Sequence, residues 1–402
     1  MHLRNFRLIP RPGRVRVATV AGAALVLSLV PLTGAAADGE NGRGDEGPAS
    51  TYAVYGDSPY GADHAQYNAT PAFIANINAD PQVSAVVHIG DLHSGSEPCT
   101  LAYDQGLAEM WKAFQDPVHY TPGDNEWADC QKAKQQPTAP DAYQKGDPIA
   151  NLTLVRQLFF PQAGVTLGQH KQLVLSQAIA YDRRYPTDKQ YVENTIWMQS
   201  GAVFVNVNVP GGSNNDHDIW NSFTTGTTAE TTAQHDEYTN RTAADLRWLD
   251  LAFGLARFTR AKGVVINVQA DMWDTEKNDP TVLTNYKPIV DKIADGTRQF
   301  GKSVLLINGD THVYRSDDPL VNDAACNTEA AFAARCAPDH DAYDLQPGGY
   351  DLGTAKFHRI VVHGSTSPME WLKLTIDPSK NAPESSNAVG PFSWTRVTTP
   401  LP

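Results

Sequence analysis

Four aspartates stand in the same local setting: Tyr55-Gly56-Asp57, Ile89-Gly90-Asp91, Pro122-Gly123-Asp124 and Asn308-Gly309-Asp310. Each pair closes a short apolar run, where a glycine lets the chain turn sharply and the next side chain is a carboxylate. One Gly-Asp after a strand is ordinarily an Asx turn or a helix cap with no chemistry in it. Four copies on separate strands read differently. In open α/β sheets ligands bind at the carboxyl ends of the strands. Four carboxylates converging at one such edge repel one another unless cations lie between them. Hard divalent ions with oxygen ligands supply that neutralisation. The last copy adds His312, two residues beyond Asp310 on the same short turn. The spacing therefore predicts a metal site at strand ends.

Such a site needs a scaffold. Apolar, β-branched runs recur at 52–55, 85–89, 118–121, 203–209, 264–268, 304–307 and 359–362, each stopped by a turn signal. Helical patterns lie between them, at 107–114 and at 243–258, where Leu246, Leu249, Phe253 and Ala256 share one face. Strands alternating with helices predict an α/β protein whose strands are buried on both faces. Two late runs, 371–376 and 392–397, have no helix between them and read as an antiparallel end to a sheet.

Taken in order, these segments resemble the calcineurin-like metallophosphoesterases, whose pattern is D-x-H, G-D, G-N-H-[DE], a lone His after a strand, then G-H-x-H. Here the matching segments are Gly56-Asp57-Ser58-Pro59, Gly90-Asp91-Leu92-His93, Gly123-Asp124-Asn125-Glu126, Val268-Gln269-Ala270-Asp271 and Gly309-Asp310-Thr311-His312. The run His312-Val313-Tyr314-Arg315 is similar to the purple acid phosphatase branch. The resemblance implies a two-sheet α/β sandwich flanked by helices, hydrolysing phosphate esters with a two-metal-activated water. It implies that Asp57, Asp91 and His312 hold one ion, with Asp91 bridging to a second. Asp124, Gln269 and Asp310 fall where the family has Asn, His and His ligands for that second ion.

Other positions depart from the pattern. Asn125 falls on the usual catalytic histidine; an amide can hydrogen-bond a phosphoryl oxygen but cannot act as a general acid. Pro59 replaces the first-motif histidine, and His93 is close enough in sequence to fill that gap. Protonation of a leaving group then depends on His93, His217 or water. Four aspartates cancel the charge of two divalent ions, which weakens them as Lewis acids. An oxygen-rich shell also favours manganese, magnesium or calcium over zinc or iron. The loop 209–215 follows a strand and could rim the pocket, with His217 just beyond it; Asn214, His217 and Arg315 are the expected substrate contacts. Trp127, Trp273, His88 and His119 read as packing residues. A family member that has lost catalysis and binds calcium or a ligand through the same carboxylates is the alternative.

The chain ends bear on where this chemistry happens. Five arginines up to Arg16, an apolar run at 17–30 and Ala35-Ala36-Ala37 follow the order of a secretory signal, predicted to span 1–37. Residues 38–50 lack large apolar side chains and read as a disordered leader, followed by one domain over 51–402. No later segment is long and apolar enough to span a membrane. Losing the five leader arginines takes the formal charge from −13 to −18. So acidic a chain argues against a nucleic-acid partner, but not against a small phosphate ester met locally by metal ions. Four cysteines in an exported chain predict disulfides; three pairings are possible, of which Cys99–Cys130 with Cys326–Cys336 is favoured. The first pair would tie the loops after Asp91 and Asp124 together; the second would staple a polar surface insertion near 322–350.

Overall fold

The computed structural model describes residues 47–60, 65–274, 283–321, 323–331, 349–364 and 369–399. Among the described residues, fifteen strands form two sheets. In chain order they are β1 (Ser50–Tyr55), β2 (Val83–His88), β3 (Val118–Tyr120), β4 (Leu175–Ser176), β5 (Thr195–Gln199), β6 (Ala202–Asn206), β7 (Gly263–Asn267) and β8 (Ser303–Asn308). Then follow β9 (Arg315–Asp318), β10 (Asp323–Thr328), β11 (Lys356–Val361), β12 (Met369–Ile376), β13 (Ala382–Ser385), β14 (Ala388–Gly390) and β15 (Phe392–Thr399). The first sheet runs β13-β14-β15-β12-β1-β2-β3 and the second β10-β9-β11-β8-β7-β6-β5-β4.

Both sheets are mixed. In the first, β1, β2 and β3 are parallel, and β12 pairs antiparallel with both β1 and β15. The late strands are thus an antiparallel extension lying directly against β1. In the second, β6, β7, β8 and β11 are parallel. The parallel strands are buried on both faces, which explains their unbroken apolar runs. Along β1, Tyr52 and Val54 enter the core between the sheets, with Phe204, Leu305 and Leu372. Ala53 and Tyr55 point the other way, onto Phe73 and Ile77 of the helix Ala65–Asn78. The helices Thr232–Phe258 and Lys287–Phe300 cover the outer face of the second sheet through Trp248, Phe253, Ile289 and Ile293. The result is a four-layer α/β sandwich.

Hydrogen bonds fix the gap between the sheets beneath the four Gly-Asp turns. Asn267 Nδ2 donates to Asn206 Oδ1 (2.9 Å), and Asn206 Nδ2 crosses to Tyr120 O in the first sheet (3.1 Å). Thr121 Oγ1 returns a bond to Val207 O (3.1 Å). Loss of any one would strand a buried polar group, at about 1–3 kcal/mol.

At the amino end, β1 opens at Ser50, and Ser200 Oγ donates to Pro48 O (2.6 Å), so the end of the expected leader is held to the sandwich. The expected signal segment and most of the leader lie outside the described residues. The expected insertion begins as strand β10, paired with β9. Cys99 and Cys130 are bonded to each other, and Cys326 is disulfide-bonded; Cys336 lies outside the described residues. Among the described residues, no helix is long and apolar enough to cross a membrane.

Candidate metal centre

The centre straddles both sheets. Asp57, Asp91 and Asp124 follow β1, β2 and β3 of the first; Gln269 and the Asp310–His312 turn follow β7 and β8 of the second. The expectation of convergence at one sheet edge becomes convergence at one end of a sandwich. The local geometry also differs from a simple glycine turn. At three of the four ends the aspartate itself is left-handed, with φ 49° at Asp57, 59° at Asp91 and 76° at Asp310, and at the second end Gly90 (φ 83°) is left-handed as well. A short polar side chain tolerates that region better than a branched one. Gly123 and Gly309 serve close approach instead, because a Cβ there would collide with the carboxylates of Asp91 and Asp57 respectively.

These turns bring ligand atoms of Asp57, Asp91 and His312 within 4.8 Å of one another. His312 Nε2 lies 3.4 Å from Asp57 Oδ1, which also accepts from Asp310 N (2.9 Å). The other oxygen, Asp57 Oδ2, is fully buried and accepts no hydrogen bond. A carboxylate grouped with a histidine and a second carboxylate, and keeping one buried oxygen unbonded, suits a divalent cation, whose bonds would replace the missing ones.

Asp91 is the hub. Its Oδ2 accepts from Tyr60 Oη (2.7 Å) and Asn125 Nδ2 (2.9 Å), and its Oδ1 from Asn125 N (3.2 Å). Burial, then repulsion from Asp124, Glu126 and Asp57, holds its carboxyl well above the usual range. Burial pushes Asp124 up to about 6, with Asp129 adding to the rise and Lys132 and Lys134 opposing it. Asp310 is also held high, by burial first and then by Asp124, Asp274, Asp271 and Asp57. So many buried carboxyls raising one another's affinity for protons is the electrostatic condition that a bound cation relieves.

A cavity of about 650 Å³ opens over the centre. Tyr60, Asp91, Asp124, Asn125, Asp310 and His312 line it, joined by Asp129, Lys132, Lys134, Asp271, Asp274 and the loop 94–96. Of the expected residues, Asp57 and Gln269 lie beneath this lining; Gln269 Nε2 donates to Asp124 Oδ1 (3.0 Å) and its Oε1 accepts from Gly211 N (2.6 Å).

Four expected residues lie away from the lining. His93 is buried, its Nδ1 bonded to Ser94 O (3.1 Å) and its ring edge-on to Tyr103, and burial lowers its pKa to about 4. The residue directly after Pro59, Tyr60, reaches the centre instead, its phenol donating to Asp91 Oδ2. Asn214 is held by Arg241 Nη1 (2.5 Å) and Thr242 Oγ1 (3.0 Å). His217 faces Asp218 near the surface (3.2 Å). Arg315 is buried in an ion pair with Asp271 (2.6 Å) and Asp317 (3.2 Å). Trp127 and Trp273 are fully buried and pack in apolar clusters.

Supporting contacts lock the turns. Gly90 N can only donate, so His88 Nδ1 accepts (3.1 Å), and Nε2 then donates to Ser58 O (2.9 Å). One neutral imidazole thereby joins the first two turns; burial lowers its pKa to about 4. Asp271 Oδ2 accepts from Thr311 Oγ1 (2.9 Å) and Asp271 N donates to Asp310 Oδ2 (3.1 Å), while Arg359 and Arg315 (each 2.6 Å) anchor the carboxylate. The Cys99–Cys130 disulfide spans 31 residues and staples the chain after the second and third turns.

A family model described as calcineurin-like phosphoesterase matches residues 51–314. Among solved structures, one titled as the structure of PhoD is similar at 11% identity and a TM-score of 0.44, covering 88% of this chain and 70% of that one. GAP50, titled the anchor in the inner membrane complex of Plasmodium, is similar at 9% identity and a TM-score of 0.41, covering 82% of each chain. The purple acid phosphatase PPD1 from yellow lupin (Lupinus luteus) seeds is similar at 12% identity and a TM-score of 0.39, covering 87% of this chain and 54% of that one. No curated protein matches the chain in sequence.

Proposed function

The chain belongs to the calcineurin-like phosphoesterase family, and we propose that it is an exported, metal-dependent hydrolase of small phosphate esters. One observation carries the reading: Asp57, whose Oδ2 is buried and unbonded, has a ligand atom within 4.8 Å of ligand atoms of Asp91 and His312, and these last two line the cavity. Asp57, Asp91 and His312 would hold a divalent ion, which when bound neutralises the carboxylates and polarises a phosphoryl oxygen. The protein's own groups divide the remaining work. Lys134, more than half exposed at the cavity, offers an ammonium to an incoming phosphate. Asn125 orients Asp91 through two hydrogen bonds and donates from the same amide to Tyr60 Oη (2.6 Å). Among the described residues His312 is the one imidazole lining the cavity. As a ligand it would have no proton to give, so the site suits leaving groups that depart as stable anions.

Export is supported by the amino-terminal sequence pattern and by the disulfide joining Cys99 and Cys130. The non-catalytic alternative is favoured by the Asn125 amide, which is committed to Asp91 and Tyr60. Turnover separates the two. Metal-stripped protein should be inactive on aryl phosphate monoesters and diesters, regain activity with manganese, magnesium or calcium, and stay inactive as folded Asp91→Asn. Absence of turnover with every divalent ion supports the binder and sinks the enzyme.

A further inference from the structure

The hydrogen bonds of the centre also bear on how many ions it takes. We infer that it holds a single divalent ion, at Asp57, Asp91 and His312, because the Gln269 amide occupies the place expected for a second. The inference rests on the metal-dependent reading and narrows it.

The orientation of Gln269 follows from its partners. Gly211 N–H can only donate, so the side-chain oxygen faces it, at 2.6 Å. The NH₂ group must then face Asp124 Oδ1, at 3.0 Å. Reversing the amide would set donor against donor and acceptor against acceptor, both buried. An amide NH₂ has no lone pair for a cation, and the one oxygen that could ligate is turned to the backbone. Gln269 therefore contributes hydrogen bonds and no ligand.

The other two expected ligands each give one carboxylate oxygen to a hydrogen bond and lie outside the group of three. Asp310 Oδ2 accepts from Asp271 N (3.1 Å), and Asp124 Oδ1 is the acceptor for Gln269. Among the described residues, Asp57, Asp91 and His312 form the one group of three His, Cys, Asp or Glu side chains close enough to share an ion. The charges agree. Two carboxylates of the first group match one divalent ion. The orphaned buried oxygen also lies on the first group's side, at Asp57 Oδ2.

The test counts ions. Purified full-length protein is dialysed against manganese, and bound manganese per chain is measured by elemental analysis. Wild type is expected to bind one equivalent, Asp57→Asn none, and Gln269→His two, with circular dichroism confirming that each variant is folded. Two equivalents on wild type would overturn the inference and leave the metal-dependent reading standing. None on wild type would overturn both. A folded Gln269→His that still binds one would show that Gln269 is not what excludes the second ion.

Discussion

The Tyr60 hydroxyl donates to Asp91 Oδ2 at 2.7 Å, from the residue directly after Pro59. That bond favours the charged form of a carboxylate that burial and three neighbouring acids push towards protonation. Tyr60→Phe should therefore make protons compete harder with metal at Asp91. Manganese affinity measured by calorimetry is expected to fall about tenfold near pH 6, with a smaller loss near pH 8. An equal loss at both would mean that Tyr60 acts by packing on His312, which its ring meets edge-on at 5.2 Å.

The raised carboxyls make stability depend on pH in a fixed direction. Burial holds Asp124 at about 6 against a usual 3.8. Between those values the folded, metal-free protein binds more protons than the unfolded chain, so this group's contribution to stability falls as pH rises. Asp124→Asn removes the term. In EDTA, the variant's Tm relative to wild type should rise from about pH 4 to about pH 7. A difference that shrinks over that window would contradict the assignment.

Lys134 stands at the mouth with Asp129 as a loose partner, 3.6 Å away. Its charge meets an anionic substrate with little cost to the fold. Lys134→Ala should raise KM about 3–10-fold for phosphate monoesters, less for singly charged diesters, and leave kcat and Tm nearly unchanged. Equal KM changes for both substrate classes would remove it from substrate binding.

Arg359 joins Asp271 and Asp317 in a fully buried cluster under the last turn. Arg359→Met leaves carboxylates buried with less compensation, at about 3–5 kcal/mol. Denaturant unfolding is expected to show a loss of that size, and a loss below about 1 kcal/mol would mean the cluster is not stabilised by this arginine. Because Asp271 also holds Thr311, metal affinity should fall with it.

The strand ends were legible because a strand buried on both faces leaves an unbroken apolar run, and four such runs stop at Gly-Asp. Asp57, Asp91 and His312 come together from that signal. The reason for the glycines was not legible. Gly123 and Gly309 are needed where carboxylates from other strands approach, and no local pattern carries that. Arg315 stands three residues beyond His312 in sequence, yet it opens β9, where its side chain pairs with Asp271 in the interior. No sequence pattern marks Tyr60, because its approach to Asp91 depends on how the chain folds back after β1. Lys132 and Lys134 read as ordinary surface charge. The helix Thr232–Phe258 begins eleven residues before the apolar periodicity does. Its first three turns are polar, and only the Thr231 cap, accepting from Gln234 N (3.2 Å), marks the start.

The most direct measurement is anomalous diffraction from crystals of the metal-stripped protein soaked in manganese. The account predicts one strong peak within bonding distance of Asp57, Asp91 and His312, with Gln269 still bonded to Asp124 and Gly211. No peak at that group, or a peak elsewhere in the cavity, would contradict it.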